Sequence, residues 1–125
     1  MHEGSIASAI VRSVLEQASR RHADEIVSIT LAIGKLTFIS QTQLLFWLEN
    51  GFENTAADGA QIEIDEIPGV YQCHACQHVG EIDLVDDPAY HLTLPHFACT
   101  VCQSHDIEIV KGKEMVIRRI QIKQK

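Results

Sequence analysis

Two Cys-x-x-Cys pairs, Cys73 with Cys76 and Cys99 with Cys102, constrain this chain of 125 residues more than any other feature. Each pair places two sulfurs at the tip of one turn, and two such turns can close a tetrahedron of sulfurs around one ion. Zn(II) suits this ligand set because thiolate is a soft ligand and zinc is tetrahedral in structural sites. Four thiolates leave no position for water or substrate, so we predict a structural zinc site.

The same four cysteines can instead form two disulfides, for which three connectivities exist. We favour the metal site because the chain shows no secretory signal, and cytosolic thiols stay reduced. Three histidines flank the cysteine turns, namely His74, His78 and His105. A zinc-bound sulfur needs hydrogen-bond donors around it, so we interpret these side chains as neighbours of the site or as solvated groups, and not as ligands.

The chain before the cysteines opens with a helical pattern and then changes period. Residues 5–22 carry apolar side chains at helical spacing, with Ser5 as a candidate N-cap. Residues 26–33 alternate between apolar and polar side chains, which predicts a strand that ends at Gly34. Residues 1–3 are therefore expected to precede the first helix.

A second helix is predicted after Ser40, because Ser40-x-x-Gln43 resembles a capping box. Its end is open: Asn50-Gly51 can stop the helix, or Gly51 can lie inside a helix that continues to about Thr55. Residues 61–67 alternate again and predict a strand.

The last strand shows a one-residue slip in its apolar pattern. Met115 and Ile117 point one way, whereas Ile120 and Ile122 continue on even numbers, so the slip falls at two arginines between them. A bulge there keeps both pairs on the core side of the sheet.

These elements predict an α+β fold, with two helices on a three-stranded mixed sheet and an inserted zinc-ribbon-like module. A strand, a helix and a strand in succession form a crossover unit, so the first two strands are expected to be parallel. The last strand then pairs antiparallel with one of them. We predict a discontinuous domain of residues 1–69 and 111–125, and a zinc-binding domain of residues 70–110.

Charge is distributed unevenly along the chain. The formal net charge is -7, yet residues 111–125 carry six Lys or Arg and one Glu. A phosphate backbone would be repelled by the acidic remainder, so we expect no nucleic-acid partner. No stretch has the length and apolar content of a membrane span or a targeting segment, so we expect a cytoplasmic protein without a membrane partner.

The first three residues, Met1-His2-Glu3, form a second candidate metal site. A bulky residue at position 2 should protect Met1 from removal, which leaves a free α-amine beside a histidine. The amine, the amide nitrogen of His2 and its imidazole can wrap one ion in fused chelate rings, and such planar nitrogen ligation suits Ni(II) or Cu(II). Glu3 can add a carboxylate or its amide nitrogen. An inert terminal segment is the alternative.

Together, the Met1-His2-Glu3 start, the strand that ends in Ile33-Gly34 and the paired Cys-x-x-Cys motifs resemble the hydrogenase maturation nickel metallochaperone family, HypA/HybF. The resemblance covers essentially the whole chain. It implies a nickel-binding α+β domain in which Met1, His2 and Glu3 hold Ni(II) as transient cargo, and a structural zinc domain. It also implies delivery of nickel towards the [NiFe]-hydrogenase large subunit precursor with a partner GTPase, HypB, and leaves a homodimer open.

The main alternative is a zinc-ribbon adaptor that binds protein or nucleic acid. In that case the zinc module alone would retain binding, and Met1 and His2 would be dispensable. We do not predict an enzyme and assign no catalytic residues: the chain contains neither H-E-x-x-H nor G-x-S-x-G, and zinc would occupy the cysteines. It also lacks a G-x-x-x-x-G-K-[ST] phosphate loop, so any nucleotide-driven step belongs to a partner.

Overall fold

The structure is a computed structural model that describes residues 3–82 and 97–124. These residues form two α-helices, one short 3-10 helix and six strands. The helices are α1 (Glu3–Arg20) and α2 (Gln41–Phe52), the 3-10 helix is Lys35–Thr37, and the strands are β1 (Glu25–Gly34), β2 (Gln61–Ile67), β3 (Val70–Cys73), β4 (Val79–Glu81), β5 (Ile107–Lys111) and β6 (Met115–Lys123).

The chain divides into two compact units. The first comprises Met1–Ala32, Ile39–Asp65 and Met115–Lys125, and the second comprises Ile33–Phe38 and Glu66–Glu114. The domain limits expected from the sequence, residues 1–69 with 111–125 and residues 70–110, stay a prediction.

The first unit holds most of a three-stranded sheet in the order β2-β1-β6. Strand β6 is antiparallel to β1. The N–H of Asp24, just before the start of β1, donates to the carbonyl of Lys123 at the end of β6, at 2.9 Å. Helices α1 and α2 pack together, and α1 also packs on β6. Val14, Leu44 and Leu48 are fully buried, so the apolar faces of both helices form the core. The predicted α+β fold with a mixed sheet is confirmed.

Helix α1 begins at Glu3 and not at Ser5, so the predicted start and cap were wrong. Ser5 lies inside the first turn. An acidic residue in the first turn is favourable at the positive end of the helix dipole, which supports the earlier start at Glu3. Packing supports it too, because the position of a Cβ atom on Gly4 would lie 3.6 Å from the ring of Trp47 in α2.

The other end of α1 is a Schellman motif at Arg20, two residues before the predicted end. His22 has a left-handed φ of 55°. The N–H of Ala23 donates to the carbonyl of Ala18 at 3.0 Å, and the N–H of His22 donates to that of Ser19 at 3.1 Å. These bonds satisfy carbonyls that would otherwise lack partners and stop the helix there.

Helix α2 confirms the predicted cap and settles the predicted alternatives for its end. The hydroxyl of Ser40 accepts from the N–H of Gln43 at 3.3 Å, and the helix runs through Gly51 to Phe52. A Cβ atom on Gly51 would lie 2.8 Å from a methyl group of Val11. A larger residue at position 51 would therefore require Val11 of α1 to move.

The burial of side chains along strand β6 shows the predicted one-residue shift in its apolar pattern. Met115, Ile117, Ile120 and Ile122 are half-buried, whereas Arg118 and Arg119 between them are both exposed. The two pairs of apolar residues therefore share the shielded side of the strand despite the change of register.

The second unit contains a small antiparallel sheet in the order β4-β3-β5. Strands β3 and β4 form the hairpin that carries the first cysteine turn, with Tyr71 opposite Gly80. Strand β5 pairs with the other side of β3 and was not predicted. The core of this unit consists of Leu36, Tyr71, Cys73, Ile82 and Cys99, with Phe38, Phe97, Ile107 and Ile109 packed against it.

Close backbone contact joins the segment after β1 to the turn between β5 and β6. The N–H of Leu36 donates to the carbonyl of Gly112 at 2.8 Å, and the N–H of Gly34 donates to that of Glu114 at 2.8 Å. A Cβ atom on Gly34 would lie 1.9 Å from the carbonyl oxygen of Gly112, which itself has a φ of +112°. Both positions therefore require glycine.

Candidate metal centre

The two cysteine turns have the same backbone structure. In each, the carbonyl of the first cysteine accepts from the N–H four residues later, Gln77 or Gln103, at 2.9 Å. Both glutamines have a left-handed φ of 66°. The N–H of the first cysteine also donates to the carbonyl five residues later, at 2.8 Å for Cys73 and 2.9 Å for Cys99. The two tight turns therefore have the same conformation, and each presents two sulfurs on the same side.

The four sulfurs form one compact group. The Sγ atoms of Cys73, Cys76, Cys99 and Cys102 all lie within 4.8 Å of one another. Cys73 and Cys102 are 3.6 Å apart, as are Cys76 and Cys99. A zinc ion with Zn–S bonds of roughly 2.3 Å requires tetrahedron edges of about 3.8 Å. The donor set and its spacing are therefore consistent with zinc.

Disulfides do not explain this group. All four cysteines are free, and the shortest distances between sulfurs, 3.6 Å, far exceed the roughly 2.05 Å of a disulfide bond. The first cysteine of each pair is buried and the second is exposed. This difference in burial follows from the structure of the turn, because its first residue belongs to the core of the second unit.

The four sulfurs differ in how readily they ionise. Burial raises the pKa of the Cys99 thiol, but the N–H groups of Cys102 and Val101, together with hydrogen bonds from the sulfurs of Cys76 and Cys102, lower it to about 6. The N–H of His78 lowers the pKa of Cys76, yet partial loss of water around its sulfur and the three neighbouring sulfurs raise it to about 12. Four adjacent thiolates repel one another, so full ionisation requires a bound metal ion.

A tyrosine supports the second turn and was missed by the sequence analysis. Tyr71 is 1% exposed, and its hydroxyl accepts from the N–H of Thr100 at 3.1 Å and lies 4.0 Å from the sulfur of Cys99. The signal was present, because Tyr71 and Cys73 are two residues apart in one strand and so share a face. Tyr71 thereby connects the strand of the first turn to the second turn.

The three flanking histidines lie outside the sulfur group. The imidazole of His74 lies beside the carboxylate of Glu108, with 3.7 Å between Nε2 and Oε2. His105 approaches the carbonyl of Phe97 at 3.3 Å through Nδ1, and His78 packs edge-on against Tyr71 with ring centroids 6.0 Å apart. Each imidazole thus has a partner other than sulfur.

The predicted nickel site falls at the edge of the described chain. Met1 and His2 lie outside the described residues, and Glu3 is the half-buried first residue of α1. Among the described residues, the four cysteines are the one group of three or more His, Cys, Asp or Glu side chains that can hold a metal, so Glu3 belongs to none. Nickel binding by residues 1–3 therefore stays a prediction.

The fold and the centre define a small α+β metal-binding protein with a closed site of four thiols. The family model described as hydrogenase/urease nickel incorporation, metallochaperone, hypA, matches residues 1–122. The chain therefore belongs to the HypA family of nickel metallochaperones for hydrogenase maturation, which is not a family of enzymes.

Similar proteins match nearly the whole length of the chain. The hydrogenase maturation factor HypA of Pyrococcus furiosus is 33% identical over 135 residues, covering 99% of this chain and 97% of the relative. That of Chlorobium limicola is 36% identical over 124 residues, covering 99% and 98%. The solution structure of the Ni metallochaperone HypA from Helicobacter pylori has a TM-score of 0.65 at 22% identity, covering 98% and 97%, which supports the fold.

Neither described helix is both long and apolar enough to cross a membrane.

Proposed function

We propose that this protein binds Ni(II) through Met1, His2 and Glu3 and delivers it during maturation of [NiFe]-hydrogenase. Cys73, Cys76, Cys99 and Cys102 hold a structural Zn(II). The partner GTPase HypB supplies the nucleotide-driven step, and the acceptor is the precursor of the hydrogenase large subunit. Both partners, and a cytoplasmic location, follow from the family.

The closed sulfur group is the observation that carries the proposal. A chaperone needs cargo that its acceptor can reach, and an ion with four thiolates has no open coordination position. The buried sulfurs of Cys73 and Cys99 make exchange there harder still. Cargo nickel therefore needs a different site, and the nitrogen ligands of Met1-His2 provide one that suits Ni(II).

Trp47 offers a direct readout of that site. It is the single tryptophan of the chain, and its ring lies 3.6 Å from the position of a Cβ atom on Gly4, two residues from His2. Nickel bound at residues 1–3 is expected to quench the fluorescence of Trp47. Titration of Ni(II) into the zinc-loaded protein should therefore give saturable quenching, and His2→Ala should abolish it.

His22→Asn is the matched control. His22 is exposed at the opposite end of the same helix, and asparagine tolerates its left-handed conformation. The control should bind nickel like the original protein. If His2→Ala binds nickel normally, or if the control loses nickel equally, the terminal site is wrong. Full hydrogenase maturation with His2→Ala at limiting nickel would instead favour the zinc-ribbon adaptor.

A further inference from the structure

Strand β6 lies at one edge of its sheet, since the strand order is β2-β1-β6. Within the described residues no strand pairs with its outer side. A row of backbone N–H and C=O groups therefore lacks a strand partner along Met115–Lys123, nine residues in all. Such an edge is a template on which an extended peptide can add as a further strand.

An open groove runs beside this edge strand. Residues 117–120 and 122 of β6 form one wall, and the last turn of α1 with Arg21 just after it forms the other, around a volume of about 400 Å³. The three isoleucines of that stretch are half-buried and make the groove partly apolar. In strand addition, main-chain hydrogen bonds give affinity, and side-chain pockets beside the strand give selectivity.

Two cations of the groove have no acidic partner among the described residues. Arg118 forms an ion pair with Asp65 at 2.7 Å, so its positive charge is already neutralised by that carboxylate. Arg21 and Arg119 are exposed in the groove and form no ion pair with a described residue. A guanidinium group binds carboxylates through two parallel hydrogen bonds, so these two arginines can select acidic side chains.

We propose that this groove binds an extended acidic peptide of a partner protein, which adds to β6 and places carboxylates against Arg21 and Arg119. Charge favours this occupant, because residues 111–125 concentrate six Lys or Arg and one Glu in a chain of net charge -7. A second copy is disfavoured, since two paired β6 strands would bring their arginines together. The proposal does not depend on nickel binding at residues 1–3.

The test uses a fluorescein-labelled peptide of alternating Glu and Val, titrated with the full zinc-loaded chain and followed by fluorescence anisotropy. Saturable binding is expected. Arg119→Glu should weaken it by about tenfold or more, and Arg119→Gln should weaken it less, because the added repulsion is absent. Arg12→Glu makes the same charge change at an exposed position of α1 outside the groove, and it should change affinity by less than about twofold.

A second peptide separates strand addition from simple charge attraction. The same sequence with alternate backbone amides methylated keeps every carboxylate but cannot pair with a strand edge, so its binding should be lost. Undiminished binding of the methylated peptide overturns the proposal, as does equal weakening by Arg119→Glu and Arg12→Glu. Absence of saturable binding up to about 1 mM would also overturn the proposal, and would mean that the arginines only protect the strand edge from aggregation. Tighter binding of a single-stranded oligonucleotide would overturn it as well.

Discussion

The hydroxyl of Tyr71 accepts a hydrogen bond from the backbone N–H of Thr100 at 3.1 Å, across 29 positions of sequence. Tyr71 belongs to the strand that leads into the first cysteine turn, and Thr100 lies inside the second. The same hydroxyl is 3.1 Å from the side-chain oxygen of Thr100. One buried side chain therefore helps to hold the two turns at the spacing that the sulfur group requires.

Replacing Tyr71 with Phe should loosen the metal centre without removing a ligand. The substitution leaves the N–H of Thr100 without its partner in a partly buried position, which costs about 1–3 kcal/mol. The expected results are a lower melting temperature and faster zinc transfer to a chelator, measured with a colorimetric zinc indicator. Thr100→Ala is the control. It keeps the hydrogen bond from the N–H of residue 100, so it should lower the melting temperature less than Tyr71→Phe does. Equal zinc release from Tyr71→Phe and the original protein would contradict this role.

The sequence predicted what depends on local pattern. Ser40 caps α2 as expected, because a capping box is complete within four residues. The four cysteines meet because Cys-x-x-Cys is a complete turn in itself, and two such turns need only be brought together. Strand β5 carried a short alternation of Ile107 and Ile109, which could have been recognised.

Long-range contacts account for what the sequence analysis missed. The contact of Leu36 with Gly112 joins residues that are far apart in sequence, so no local sequence pattern predicts it. The start of α1 is similar: Ser5 is a good local cap, but the helix continues to Glu3, with Gly4 beside Trp47 of α2. Tertiary packing overrides a local capping preference in this case.

Removing one sulfur should release the metal from all of them. Cys99→Ala leaves three sulfurs and deletes a buried one, whose pKa is lowered to about 6, so zinc should fall below stoichiometry after dialysis against EDTA. Val101→Ala is the matched control, because its exposed side chain is dispensable and its N–H still donates to Cys99 at 3.4 Å. Elemental analysis would measure both, and full zinc retention by Cys99→Ala would refute the four-sulfur centre.

Glu114 should make the second unit sensitive to acid. Its carboxylate accepts from the N–H of Gly112 at 2.6 Å and from that of Lys113 at 3.0 Å. The N–H of Gly112 in particular lowers the pKa of Glu114 below its usual 4.5. A lowered pKa means that the stabilisation is complete above the unfolded value and is lost as pH falls through the folded value.

Glu114→Gln should therefore lower the melting temperature at neutral pH, because a neutral amide oxygen is a weaker acceptor than a carboxylate. The difference should shrink as pH falls through the lowered pKa of Glu114, where the original carboxyl becomes protonated as well. Thermal unfolding across that pH range tests this, with Glu108→Gln as an exposed control on β5. A melting difference that is the same at every pH would show that charge at Glu114 is unimportant.

A single residue added before Met1 gives the sharpest test of the proposed nickel site. If the α-amine of Met1 and the amide nitrogen of His2 are ligands, the added residue converts the amine into an amide and changes the chelate rings. Nickel affinity should fall, and quenching of Trp47 and hydrogenase maturation should fall with it. Zinc content should stay the same, because the four cysteines belong to the second unit.

The extension and His2→Ala remove different ligands, so comparing them identifies which ligand matters. Glu3 lies in the first turn of α1, and each change is N-terminal to it, so the helix should persist in both variants. Circular dichroism would check this, and isothermal titration with Ni(II) would measure the affinities. If the extended chain binds nickel as the original does while His2→Ala does not, the α-amine is not a ligand and His2 must act with other side chains.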